Sequence, residues 1–157
     1  KDRVGALIIF EREIALTDII ETGTIVDAEI SEQLIGNIFY EGSPLHDGAA
    51  IIRNGRLYAA GCVLPLTQNK NISKELGTRH RAGIGITENS DALVIIVSEE
   101  TGIISMASDG QLSRFLDSKT VEKTLLNMYL GKPEANGTMA VIPRIFNKFR
   151  RKKNAEE

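Results

Sequence analysis

Short apolar runs separated by turn residues dominate this chain, and their spacing predicts strands more often than helices. Val4 to Phe10, "VGALIIF", is a β-branched run suited to a buried strand. Ser31 precedes Leu34, Ile35, Ile38 and Phe39, which recur at helical spacing, so its hydroxyl is expected to cap that helix. "GAAIIR" and "RLYAAGCVLPL" flank Asn54-Gly55. Both central residues of a type I′ turn need positive φ, so this pair predicts a hairpin. A second hairpin is predicted where "ALVIIVS" (92–98) turns through "EETG" into "IISMAS" (103–108), with "DGQ" closing the far end.

Further stretches are helical. "GTRHRAGIGIT" (77–87) is expected to start a helix at Thr78, although Gly83 and Gly85 each cost it about 1 kcal/mol against alanine. Thr120 to Leu130 is amphipathic and is ended by Gly131 and Pro133. From Pro143 onward, Ile145, Phe146 and Phe149 alternate with basic residues, which predicts a terminal helix fraying into a flexible basic tail over 150–157. Strands mixed with helical connections point to the α/β class, with a mixed central β-sheet flanked by helices.

At 157 residues the chain is expected to be one domain with a real core. Its net charge of −2 gives no general attraction to nucleic acid or to an anionic membrane. The single cysteine, Cys62, excludes an internal disulfide and fits a reducing compartment. No apolar run approaches the ~20 residues of a membrane span. The chain opens on Lys1 and is strand-like at once, so an excised domain is expected.

Three segments put polar residues at the end of an apolar run: His46-Asp47-Gly48, Thr78-Arg79-His80-Arg81 and Ser98-Glu99-Glu100. The first fits either an Asx-type turn or a metal or nucleotide-activating site. In the second, a Gly-Thr start, free backbone N–H groups and two guanidinium forks are what a polyphosphate needs at a helix N-terminus. A solvated helix face is the plainer alternative. The small residues Gly77, Ala82, Gly83 and Gly85 would let a ligand or a second subunit come close. In the third, the carboxylates fit a solvated turn or a divalent cation shared with His46 or Asp47. Taken together the three are parts for metal-assisted nucleotidyl transfer. Neither a Walker-type GxxxxGK[ST] nor a GxGxxG after a strand occurs.

"LHDGAAII", "GTRHRAGIGI" and "VSEETG", in this order and spacing, resemble the diadenylate cyclase domain. The likeness is greatest to its membrane-anchored CdaA type, and the DNA-scanning DisA type shares the domain. "ALIIFERE" and "DGQLSRFLD" extend the resemblance from about Val4 to Leu116. It implies condensation of two ATP molecules to cyclic di-AMP (c-di-AMP), with one ATP per subunit and a site completed only in a homodimer. Asp47 of the DGA motif would help deprotonate the ribose 3′-hydroxyl, and Gly48 and Ala49 would let the nucleotide approach. Gly77, Thr78, Arg79, His80 and Arg81 would bind phosphates, with Arg79 and Arg81 stabilising developing charge. Ser98 and Glu99 would contact the nucleotide. His46, Asp47 and Glu100 would hold a divalent metal, with Mn²⁺ or Co²⁺ favoured over Mg²⁺ because imidazole is the softer ligand. Adenine would lie along Cys62 to Leu66, read by the backbone of Leu64, with Val63 where relatives often carry an aromatic.

The resemblance further implies an N-terminal membrane anchor outside this sequence, a place at the cytoplasmic face of a bacterial membrane, and phosphoglucosamine mutase as a regulator. The competing reading is a catalytically silent nucleotide sensor, which needs the phosphate contacts but no aligned base. A metal-dependent phosphohydrolase would need a denser His/Asp cluster than this chain has. A structural interaction domain with a basic tail would leave the paired motifs without a use.

Overall fold

The computed structural model describes residues 3–130. The chain divides into two compact units, Lys1–Leu116 and Asp117–Glu157. The helix expected beyond Pro143 and the tail at 150–157 lie outside the described residues.

In the first unit β1 (Ala6–Phe10), β2 (Thr24–Glu29), β3 (Ala49–Arg53), β4 (Arg56–Cys62), β5 (Leu93–Val97), β6 (Ile104–Ser108) and β7 (Gln111–Leu116) form one sheet. Its order is β2-β4-β3-β1-β5-β6-β7. β1 runs parallel to β3, and the other pairings are antiparallel. A parallel pair needs a crossover. Here residues 11–48 supply it and hold α1 (Thr17–Ile20), β2 and α2 (Glu32–Phe39).

The central strands read as continuous apolar runs because both of their faces are buried. Leu7, Ile9, Ala49, Ile51, Val94 and Ile96 join Ile20 of α1 and Leu16 just before it in one core cluster. Ala82, Ile84 and Ile86 of α3 (Thr78–Glu88) complete that cluster. Ala50, Ile95 and Met106, which lie in register with one another through Ile8, are buried on the other face.

The expected hairpin stands at Asn54-Gly55, with φ of 50° and 70°. Asp109-Gly110 makes a second such turn, with φ of 49° and 71°, and leads into β7. Ser31 caps α2 by accepting a hydrogen bond from the Leu34 amide at 3.1 Å.

Gly83 and Gly85 are tolerated in α3 because the fold needs their missing side chains. A Cβ on Gly83 would lie 2.8 Å from Ile96, and one on Gly85 would lie 2.2 Å from the Pro65 carbonyl oxygen. The close approach that these small residues allow is therefore between α3, the sheet and the 65–67 segment of the same chain.

In the second unit the described element is α4 (Ser118–Leu130). Asp117 caps it, accepting from the Thr120 amide at 2.7 Å.

Candidate nucleotide site

A cavity of about 1070 Å³ opens where the ends of β3, β4 and β5 meet the N-terminus of α3. That volume lies just above the usual range of about 300–1,000 Å³ for small-molecule sites. Four segments line it: Asp47-Gly48, Gly61–Leu64 with Leu66, Gly77–His80, and Ser98–Thr101.

Asp47 is exposed on the loop that enters β3, and its position depends on its neighbour. Gly48 has φ +96°, and a Cβ there would lie 2.6 Å from the Cys62 carbonyl oxygen. Only glycine meets both conditions. The space at Gly48 is thus filled by the backbone of β4, and Ala49 is fully buried on β3 away from the cavity lining. His46 also lies outside the lining. Its Nδ1 lies 2.5 Å from the Ser43 carbonyl oxygen, which can only accept, so Nδ1 is the donor of that contact.

α3 starts at Gly77 without a side-chain cap. Its first amides lack intrahelical partners and carry the positive end of the helix dipole. Thr78, Arg79 and His80 border the cavity there, while Arg81 does not. The Arg81 amide closes the first turn onto the Gly77 carbonyl at 3.2 Å, and its carbonyl accepts from Thr67 at 3.1 Å.

Arg79 is held by Glu99 across 2.6 Å. Its guanidinium lies over Gly5, where a Cβ would come within 2.6 Å of Arg79 Nη1. Ser98 organises the opposite loop: its hydroxyl accepts from Thr101 at 3.2 Å and its carbonyl accepts from Gly102 at 2.8 Å. Arg3 donates to the Glu100 carbonyl.

His80 is buried and its Nε2 lies 3.3 Å from the Ser105 hydroxyl. Burial, and then the nearby charge of Arg114, hold its pKa below the usual 6.5, so the ring is neutral at pH 7. Burial also pushes the Cys62 thiol up to about 11, which leaves it an unreactive wall.

Along the remaining wall Val63, 65 % exposed, and Leu66 offer apolar surface beside the buried Leu64. Such a wall suits a planar heterocycle, and the α3 N-terminus suits an anion.

Asp47 and Glu100 border the cavity, but among the described residues no three His, Cys, Asp or Glu side chains converge on one cation position. One or two carboxylates completed by phosphate oxygens is the usual way a Mg²⁺-type ion is held beside a nucleotide. The residues present fit that arrangement better than a cage made by the chain alone.

The structure therefore brings together Asp47, Gly48, Leu64, Gly77, Thr78, Arg79, His80, Ser98, Glu99 and Glu100, and leaves His46, Ala49 and Arg81 off the cavity wall. Sequence reasoning missed Glu75, Thr101 and Arg114, which also line it. No sequence signal marked Arg114: residue types in "QLSRFL" do not alternate, and only burial along the strand does.

Residues 1–112 match the DAC family, described as DisA bacterial checkpoint controller nucleotide-binding. The cyclic di-AMP synthase CdaA of Bacillus subtilis is 50% identical over 125 residues, covering 80% of this chain and 46% of that protein. A diadenylate cyclase of Listeria monocytogenes is 45% identical over 150 residues, covering 96% of this chain and 53% of that protein. This chain thus spans about half the length of these curated relatives. A crystal structure of a DacA double mutant from Staphylococcus aureus superposes with a TM-score of 0.80 at 50% identity, covering 82% of this chain and 86% of that one. A hypothetical membrane spanning protein from Bacillus cereus gives 0.70 at 47% identity, over 73% of this chain and 56% of that one. With the family match spanning most of the sequence and these relatives 45–50% identical to it, the chain belongs to the DAC, or diadenylate cyclase domain, family.

Proposed function

We propose that this chain is the catalytic domain of a diadenylate cyclase. The observation that carries the reading is the shared cavity: an exposed carboxylate at Asp47 faces the same space as the open N-terminus of α3 and Arg79. A base and a phosphate cradle in one cavity are what nucleotidyl transfer requires. Adenine rests along Val63, Leu64 and Leu66, and the triphosphate is received by Thr78, Arg79, the α3 amides and the Ser98 loop.

In the reaction each ribose 3′-oxygen attacks the α-phosphorus of the facing nucleotide. A bond forms from O3′ to Pα, the Pα–O bond to the β-phosphate breaks, and the 3′-hydroxyl proton passes to Asp47. Performed twice, this converts two ATP into c-di-AMP and two pyrophosphates. One cavity holds one nucleotide, so a two-fold homodimer that turns two cavities toward each other is the natural template. Arginine charge and helix amides stabilise the negative charge that builds on the leaving pyrophosphate.

A divalent cation held by Asp47 and Glu100 with phosphate oxygens would supply Lewis acidity at the α-phosphate. His46 would favour Mn²⁺ or Co²⁺ over Mg²⁺ if the loop brings its Nε2 inward on binding. Among the described residues no helix is long and apolar enough to cross a membrane. The membrane spanning relative supports anchoring through a segment beyond this chain, with the domain on the cytoplasmic side, where ATP is available. Phosphoglucosamine mutase is the candidate regulator on the same reading.

The test is incubation with ATP and Mn²⁺, Co²⁺, Mg²⁺ or no metal, followed by chromatography. c-di-AMP that appears only with metal is the expected result. ATP returned intact by a chain that sediments as a dimer in every condition would replace the cyclase with a sensor.

A further inference from the structure

The RHR segment suggests two phosphate-binding arginines, yet only its first, Arg79, borders the cavity. A second arginine does reach it, from a distant part of the chain. Arg114 lies on β7, at the end of the sheet order and four strands removed from β3, and its side chain lines the same cavity as Thr78, Arg79 and His80.

Its surroundings leave Arg114 incompletely satisfied. Nε is buried and has no hydrogen-bond partner among the described residues. The guanidinium stacks on Phe115, 4.9 Å from the ring centroid, a contact that steadies it without neutralising it. Three ion pairs occur among the described residues, and Arg114 is in none of them. Arg79, the other arginine on the wall, is already matched by Glu99. His80 adds no competing positive charge beside Arg114, because burial and the Arg114 charge lower that ring's pKa.

Arg114 is half-buried, but its Nε is fully shielded, and a shielded unpaired donor on a cation is costly in the free protein unless a ligand satisfies it. The planar guanidinium fork matches a phosphate oxyanion better than any other common ligand group. The helix amides that attract phosphate open into the same cavity.

We propose that Arg114 is the second arginine of the polyphosphate subsite, binding an oxyanion of the ATP triphosphate and then of the released pyrophosphate. The proposal rests on the nucleotide reading of the cavity, and it names a residue that the DGA, RHR and SEE segments do not contain. Removing Arg114 should therefore weaken ligands that carry the polyphosphate and spare those that lack it.

The experiment compares the wild-type chain with Arg114→Gln and Arg114→Lys. Binding of α,β-methylene-ATP with Mg²⁺, whose bridging carbon prevents release of pyrophosphate, is measured beside binding of adenosine. Loss of one charge-assisted contact predicts that Arg114→Gln weakens the analogue about 10- to 100-fold and leaves adenosine unchanged. Arg114→Lys should recover part of that loss, because charge is kept while the fork is not. The melting temperature of ligand-free Arg114→Gln should change little, because the lost Phe115 stack is offset by removal of the unpaired Nε.

Wild-type affinity for the analogue in both variants overturns the proposal, as does a parallel loss of analogue and adenosine. Should Arg114→Gln not fold, equal binding of the analogue by wild type and Arg114→Lys overturns it instead. Assay of c-di-AMP with the wild-type chain separates the two readings. Arg114-dependent binding without c-di-AMP keeps this inference and removes the cyclase. c-di-AMP production with Arg114-independent binding does the reverse.

Discussion

Replacing Gly48 by alanine tests how Asp47 is held in place. Gly48 has φ +96°, where an L-residue is strained by about 1–2 kcal/mol. The new methyl would also lie 2.6 Å from the Cys62 carbonyl oxygen and 2.9 Å from the Gly61 carbonyl carbon. Those partners belong to a strand in the middle of the sheet and cannot swing aside as a flexible side chain would, so overpacking adds about 1–3 kcal/mol. The expected loss is therefore about 3 kcal/mol, or about 10 °C in melting temperature for a unit of this size.

Gly36→Ala is the matched control. Gly36 lies inside α2, and a Cβ there meets nothing within 4 Å. The same chemical change should there raise stability by about 0.5–1 kcal/mol. Thermal unfolding followed by far-ultraviolet circular dichroism measures both. A Gly48→Ala protein that melts within about 2 °C of wild type would refute the account of the loop. A clear shift with cyclisation retained would show that Asp47 does not depend on it.

Asp47→Asn keeps size and removes the base, so c-di-AMP formation should fall at least about 100-fold while ATP affinity changes little; near wild-type turnover would remove Asp47 from the attack step. Arg79→Ala takes a charge from the α3 N-terminus and should weaken ATP about 10-fold or more, read by calorimetry; unchanged affinity would put the phosphates elsewhere. The pair of Glu11 with Arg53, at 2.7 Å, predicts a pH effect. Burial works to raise the Glu11 pKa, but the hydrogen bond from Arg53, the Leu16 amide and the Arg53 charge outweigh it and hold the pKa below 4.5. The unfolded chain then binds the extra proton first, so this stability is present above pH 4.5 and is lost as pH falls through the folded value. Glu11→Gln should flatten that acid limb in melts between about pH 6 and 3, and an unchanged limb would assign it to other carboxylates.

Much of this protein is local information and can be read from the chain. The strands at Ala6–Phe10, Ala49–Arg53 and Leu93–Val97 follow from apolar runs bounded by turn residues, the hairpin from Asn54-Gly55, and the start of α2 from the Ser31 hydroxyl. The motif segments that line the cavity are legible in the same way, because strand ends and helix starts mark themselves.

The missed elements lack such signals. α1 spans Thr17–Ile20, too short to display a helical period. β2 carries a register shift between Ile25 and Ala28, with Asp27 at φ 44°, so its alternation is broken. β7 alternates in burial but not in residue type, because Ser113-Arg114 and Phe115-Leu116 pair like with like, and it follows directly on the turn at Asp109-Gly110.

What only the tertiary structure decides is which neighbour in a motif faces the cavity. Asp47 and Gly48 reach it while His46 and Ala49 on either side do not, and Arg79 reaches it while Arg81 does not. Successive residues on a strand or a helix point in different directions, and the phase is set by packing against the rest of the fold. For the same reason Arg114 stands beside Arg79: sheet order and the packing of α3 on β6 and β7 bring together residues that the chain keeps far apart.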